Sequence, residues 1–252
     1  MIGYDIFGSG PQTVFVMNDW RSDTSSWDDA RKYLDLARFR WVFVDLRGYG
    51  RSRTLTGPYT APQGALDILA LANQLDLARF DIVGHSMSSM VVMELLRTQQ
   101  QRIGRAVVIT PPPPAGMAVR QDIIDMVRGM ALGDDAARYR GMEWNNAPGL
   151  SAQWMNFKVR RWRETSDSAA VSAYIDMYAG SHPAPARITV PLLVLTGELD
   201  SEPLRSDAAR ASYAPICDTL EIVALAQSAH YPMQEMPPLF TSELQRFLAG
   251  GA

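Results

Sequence analysis

The stretch Phe80-Asp81-Ile82-Val83-Gly84-His85-Ser86-Met87-Ser88-Ser89-Met90-Val91-Val92-Met93 constrains this chain more than any other. Residues 80–83 form an apolar run of strand character, and Met90, Met93, Glu94, Leu96 and Arg97 then follow with helical spacing. Between the two runs, a glycine and a serine must turn the chain sharply from strand to helix. A serine on such a turn is pushed out of the sheet edge, where the unpaired amides at the start of the helix face whatever reacts there. The pattern is Gly-x-Ser-x-Gly with Ser88 in the last place, where helix and strand pass closely and serine is the next smallest residue. Ser86 is the candidate nucleophile. The plainer alternative is a serine that merely caps the helix.

On either side of this stretch, strand and helix signals alternate. Strands are predicted over residues 2–7, 13–17, 41–44, 105–109, 191–195 and 220–223, and helices over 27–36, 61–77, 203–213 and 238–248. That rhythm implies an α/β fold with a mostly parallel sheet and helices on both faces. From about residue 116 to 185 the strand signal vanishes and helical spacing takes over (Ile123, Ile124, Met126, Val127, Met130). The expected organisation is a core of residues 1–112 and 186–252 with a helical cap, residues 113–185, over the carboxyl ends of the strands. The four prolines at 111–114 read as a stiff hinge at the base of this insert.

Composition sets limits on function. With 47% hydrophobic and 20% charged residues, the chain can bury a substantial core as one soluble domain. A net charge of −3 without a basic cluster argues against nucleic acid as a partner. No stretch approaches the ~18 apolar residues of a membrane span, and no cationic leader opens the sequence. The single cysteine, Cys217, excludes an internal disulfide and suits a reducing compartment, so a cytoplasmic protein is expected. Three scattered histidines and one cysteine make no metal-ligand cluster, and neither metal nor cofactor is expected. The expected partner is a small-molecule substrate, and the chain is taken as a monomer or homodimer.

A serine hydroxyl needs a base beside it and a group that orients the base. His85 adjoins Ser86 and points the opposite way, so it reads as structural. His182, between Ser181 and Pro183, reads as a surface or hinge residue. His230, in the loop Gln227-Ser228-Ala229-His230-Tyr231-Pro232 after the last strand, is the candidate base. The orienting carboxylate is sought after strand 191–195, where Thr196-Gly197-Glu198-Leu199-Asp200 offers Asp200. Glu198 and Glu202 rival it by proximity and Asp45 by position. After strand 105–109, where an acid is the usual alternative, stand Thr110 and the prolines.

The order Ser86, Asp200, His230 resembles that of the α/β-hydrolase superfamily. The same holds for Gly84-His85-Ser86-Met87-Ser88, Asp45-Leu46-Arg47-Gly48-Tyr49-Gly50-Arg51-Ser52 and Ala229-His230-Tyr231-Pro232-Met233-Gln234-Glu235-Met236-Pro237. The likeness is to small bacterial esterase, lactonase, cofactor-free haloperoxidase and carbon–carbon hydrolase branches, and covers nearly everything but the insert. It implies an oxyanion hole built from the backbone N–H groups of Trp20 and Met87. Two positions depart from the family pattern. Asn18-Asp19 replaces His-Gly, and a carboxylate at Asp19 disfavours an adjacent oxyanion unless it is paired, with Arg21 as the nearest cation. Ser88 replaces glycine, as in plant hormone receptors of similar fold, which hydrolyse slowly and signal by binding.

Most of the insert's aromatic and methionine side chains are expected to pack its own core. Trp144, Trp154, Met126 and Tyr178, with Asn18 from the core, are the expected lining of the substrate pocket. Arg160, Arg161 and Arg163 read as a solvated face, and Arg47 as a brace for the loop next to Asp45. The expected activity is hydrolysis of a small to medium, largely apolar ester or lactone through an acyl-serine. Two other classes stay open: a carbon–carbon hydrolase or cofactor-free oxygenase using the histidine base, and a ligand-binding sensor with slow hydrolysis.

Overall fold

The apolar runs assemble into a seven-stranded sheet in the order β1-β3-β2-β4-β5-β6-β7. The strands are β1 (Tyr4–Phe7), β2 (Gln12–Met17), β3 (Phe39–Val44), β4 (Phe80–His85), β5 (Ile103–Ile109), β6 (Leu192–Gly197) and β7 (Leu220–Leu225). Only β1 runs antiparallel to its neighbour, β3, and every other pairing is parallel. The computed structural model describes residues 1–143, 148 and 150–251. Every residue of β4 and of β6 is buried. Since successive side chains of a strand point to opposite faces, both faces of the sheet's centre are covered. The α/β architecture read from the sequence is the one observed.

The covering helices of the core are α1 (Asp28–Arg31), α2 (Ala61–Gln74), α3 (Ser89–Thr98), α8 (Ser206–Tyr213), α9 (Pro232–Glu235) and α10 (Pro237–Leu248). Thr60 caps α2 by accepting the Gln63 N–H, and Pro62 sits in its first turn, where a missing N–H costs nothing. The helix predicted over residues 27–36 is much shorter, with a 3₁₀ turn at Thr24–Trp27 leading into α1. Asp35 explains the early stop: its carboxylate accepts the N–H groups of Ala37 and Arg38, each at 3.0 Å, a turn that competes with helix continuation. No helix among the described residues is long and apolar enough to cross a membrane.

Between β5 and β6 the chain inserts α4 (Gln121–Leu132), α5 (Asp135–Met142), α6 (Ala152–Thr165) and α7 (Ser168–Tyr178). Asp134, Ser151 and Asp167 cap α5, α6 and α7 through their side chains. Met142, Met155, Trp162, Tyr174 and Met177 are buried within this segment. Its two ends are zipped together: Met117 N–H donates to Tyr178 O, Gly180 N–H to Met117 O, and His182 N–H to Ala115 O. His182 thus lies at the base of the insert, as read from the sequence.

The insert is fastened to the core through polar contacts on loops. Trp20 Nε1 donates to Val171 O at 2.8 Å, and Asp167 N–H to Gly48 O at 2.7 Å. Arg161 makes a forked pair with Asp23 at 2.8 and 3.0 Å. The basic run at 160–163 is therefore not simply a solvated face, because one of its arginines clamps α6 onto the core. Arg47 braces its loop through Asp67 on α2, at 2.6 and 2.9 Å, and through Thr56 O.

Gly48 has φ +81°, and a Cβ there would lie 2.1 Å from Ala170 Cβ on α7. Gly48→Ala is expected to destabilise the protein by about 1–3 kcal/mol. Denaturant unfolding checks this, and an unchanged midpoint would contradict the close approach of α7.

Candidate active site

At the carboxyl end of β4 the chain turns within one residue. Ser86 adopts φ +52°, a left-handed backbone that a side chain normally avoids. A 3₁₀ turn, Ser86–Ser88, then feeds α3. Gly84 is obligatory here, since a Cβ would come within 2.8 Å of the Ser88 carbonyl oxygen and of Val92 Cγ2. Ser88 fits where the family pattern has glycine because its hydroxyl closes on the turn itself. It accepts the His85 N–H at 2.9 Å and donates to the His85 carbonyl at 3.1 Å, so no polar atom of this side chain is stranded in the core.

His230 arrives from the loop after β7 and presents Nε2 to Ser86 Oγ at 2.9 Å. Its Nδ1 meets Asp200 Oδ2 at 2.8 Å. Asp200 is fully buried, and its other oxygen accepts the Ser201 N–H at 2.7 Å. A carboxylate in that position fixes the imidazole with hydrogen on Nδ1, leaving Nε2 to accept the serine proton. The loop passes β6 because residue 197 is glycine: a Cβ there would stand 2.1 Å from Ala229 O. Glu235 pins it from below, accepting from Ser228 Oγ at 2.8 Å and Ala229 N–H at 2.6 Å.

The rivals lie elsewhere. Glu198 and Glu202 are exposed. Asp45 is buried and accepts the backbone N–H groups of Thr24 and Arg51, at 2.8 and 2.9 Å, organising the turn that follows β3. His85 lies fully buried beneath the site, and Nε2 donates to the His230 carbonyl at 2.7 Å. Burial pushes its pKa down to about 3, so it stays neutral and holds the next loop in place. Thr110, where an acid might have stood, has φ +41° and donates to the same carbonyl at 3.3 Å. Its part in the site carried no signal in the sequence.

A cavity of about 220 Å³ opens over Ser86 and His230. Its wall is largely apolar, with Met117, Val119, Ile123, Ile124, Val127 and Ile175 from the insert. Tyr178, Trp20 and Tyr231 add aromatic surface, and Asp19, Arg21 and Ser201 the polar spots. Three of the residues expected in this lining lie outside it. Asn18 is wholly buried and holds the turn after β2, donating to Asp19 O and Ser22 O and accepting the Leu46 N–H. Met126 is 40% exposed, on the outer side of α4 from Ile123 and Val127. Trp154 packs edge-on against Tyr231, behind the wall. Trp144 falls outside the described residues.

Asp19 accepts the Arg21 backbone N–H at 3.2 Å, while the Arg21 guanidinium lies over the rings of Trp20 and Trp162 at 5.7 and 5.6 Å. Lys158, on α6, is a residue the sequence did not single out. It is buried to 1% exposure with its ammonium 4.0 Å from the centre of the Tyr231 ring. Among the described residues, no group of three or more histidine, cysteine, aspartate or glutamate side chains is placed to hold a metal ion.

Known proteins resemble the chain in sequence and in fold. The chain is 25% identical over 221 residues to a non-heme chloroperoxidase of Burkholderia pyrrocinia, covering 80% of this chain and 79% of that one. It is 21% identical to a 3-oxoadipate enol-lactonase of Acinetobacter baylyi, over 97% and 91% of the two chains. An esterase from Exiguobacterium antarcticum superposes with a TM-score of 0.86 at 19% identity, covering 98% of this chain and 95% of that one. The family model described as "Alpha/beta hydrolase family" matches residues 14–243, and the chain belongs to that family.

Proposed function

We propose that the chain is a serine hydrolase that cleaves small to medium, largely apolar carboxylic esters or lactones through an acyl-enzyme. The observation that carries this reading is the relay Ser86 Oγ–His230 Nε2–Asp200, at 2.9 and 2.8 Å, on the floor of an apolar cavity. His230 takes the Ser86 proton as Oγ attacks the carbonyl carbon, and Asp200 stabilises the imidazolium that results. The backbone N–H groups of Trp20 and Met87 receive the oxyanion. The tetrahedral adduct collapses, and His230 protonates the departing alkoxide, which stays tethered when the substrate is a lactone until the acyl bond is cut. Water then attacks the acyl carbon as it gives a proton to His230, and His230 passes that proton to Ser86 Oγ as the Oγ–acyl bond breaks and the acid leaves. The helical insert acts as the cap, shielding the acyl group with Ile123, Ile124, Val127 and Ile175.

Esterase and enol-lactonase relatives support hydrolysis, and the chloroperoxidase relative keeps histidine-base chemistry in view. A panel of p-nitrophenyl esters separates the two. Ser86→Ala and His230→Ala are each expected to lower kcat roughly 10⁴-fold or more, and Asp200→Asn by about 10⁴-fold through the wrong imidazole tautomer. Activity that survives Ser86→Ala and is lost in His230→Ala would contradict the acyl-serine.

Acyl length provides a second check. Ile124→Trp fills part of the cavity and is expected to shift the preferred ester to a shorter acyl chain, lowering kcat/KM for the longer ones about tenfold or more. An unchanged length profile would place the acyl group elsewhere.

A further inference from the structure

Four buried polar atoms from four separate elements stand together beside the active site without hydrogen-bond partners: Asp19 Oδ2 after β2, His85 Nδ1 at the end of β4, Lys158 Nζ on α6 and Tyr231 Oη in the loop after β7. His85 donates its Nε2 hydrogen to the His230 carbonyl, so Nδ1 carries only a lone pair, and that lone pair lies 4.0 Å from Asp19 Oδ2. Two acceptors face each other, and one belongs to a carboxylate whose next residue, Trp20, is the proposed oxyanion donor. Left alone, a negative charge there raises the energy of an oxyanion forming on Ser86. The lysine is the one of these four groups able to supply a compensating positive charge, and after burial itself Asp19 is the strongest influence on it.

We propose that Lys158 is a positioning residue of the reaction: its ammonium, delivered by α6, is the counter-charge that makes Asp19 compatible with an oxyanion on the adjoining turn. This role rests on the acyl-serine reading above. The ammonium sits on the face of Tyr231, 4.0 Å from the ring centre, and Tyr231 in turn lines the cavity beside His230. Arg21 contributes a second positive charge nearby, held over Trp20 and Trp162. The charges acting on Lys158 are Asp19, Arg21, Asp23 and Glu235, and Asp23 is already paired with Arg161 one turn further along α6. Its other neighbours, His85 and the Tyr231 phenol, are neutral: burial holds the first far below and the second well above its ordinary pKa, and the phenol also faces Asp19 and Arg21.

Burial pushes the Lys158 pKa down to about 8, with Asp19 opposing the shift. The ammonium is therefore present at neutral pH and lost as pH rises through that value, uncovering the Asp19 carboxylate. The wild-type enzyme should lose kcat above about pH 8 with KM little changed, because the oxyanion exists only in the transition state.

Three variants test this with p-nitrophenyl butyrate as substrate. Lys158→Met keeps the volume and removes the charge, and kcat near pH 7, where the wild-type ammonium is present, is expected to fall roughly ten- to a hundredfold at nearly constant KM. Asp19→Asn keeps the oxygen that accepts the Arg21 N–H and removes the opposing charge. The double variant is expected to recover kcat to within about threefold of wild type and to lose the alkaline fall. Unfolding midpoints give a readout independent of turnover: each single change leaves one charge buried alone, so the double variant should lose less stability than the two singles summed. Wild-type kcat in Lys158→Met, or a double variant no better than Lys158→Met with additive midpoints, would overturn the role alone. If a fluorophosphonate fails to label Ser86 in the wild-type protein, the acyl-serine reading falls and this role falls with it.

Discussion

Beneath the reacting pair, a buried hydrogen bond ties the turn that carries Ser86 to the loop that carries His230. The neutral ring of His85, directly before the serine, donates to the carbonyl of His230 itself at 2.7 Å. The two proposed reacting side chains belong to distant parts of the chain, and a mismatch of 1 Å between them can cost about a hundredfold in rate. Because burial keeps the His85 ring uncharged down to about pH 3, the tie does not depend on working pH. Thr110 donates to the same carbonyl, and Glu235 holds the loop two residues earlier, so the histidine backbone is fixed from the strand side and from α9. Rigidity here comes from backbone atoms gripped by buried side chains, which leaves the imidazole edge available for chemistry.

The parts of this arrangement that follow from steric or periodic rules were legible in the sequence. Continuous apolar runs marked the central strands because both their faces are covered. The Gly84–Ser86 turn was legible because close passage of Ser88 and Val92 tolerates nothing larger than glycine at 84. Asp200 and His230 could be sought at strand ends because a parallel sheet gathers its loops at one rim. The short helix after Trp27 was misjudged because apolar spacing continues past Asp35, whose side chain diverts the backbone hydrogen bonds.

The lining of the cavity was far less legible, for a physical reason. On α4, Ile123, Met126 and Val127 all satisfy helical spacing, and which of them faces the serine depends on a rotation of the helix about its axis that no local rule sets. Asn18 was misplaced because the pattern gave its position and not its direction: its amide and carbonyl are consumed in bridging two loops. Lys158 was invisible for a similar reason. A lysine among arginines on an amphipathic helix reads as solvated, and only the packing of α6 against Tyr231 shows it to be enclosed. The charge at Asp19, by contrast, was recognisable as a problem from sequence, and Lys158 is the cation proposed to answer it.

The central claim is that the Ser86 oxygen becomes covalently acylated during turnover. Rapid-quench mass spectrometry on a slowly deacylating ester measures this directly, with the adduct located by peptide mapping. The account predicts a transient mass increase equal to the acyl group, confined to the peptide that contains Ser86 and decaying as product acid appears. Steady turnover with no adduct on that peptide at any quench time would contradict it.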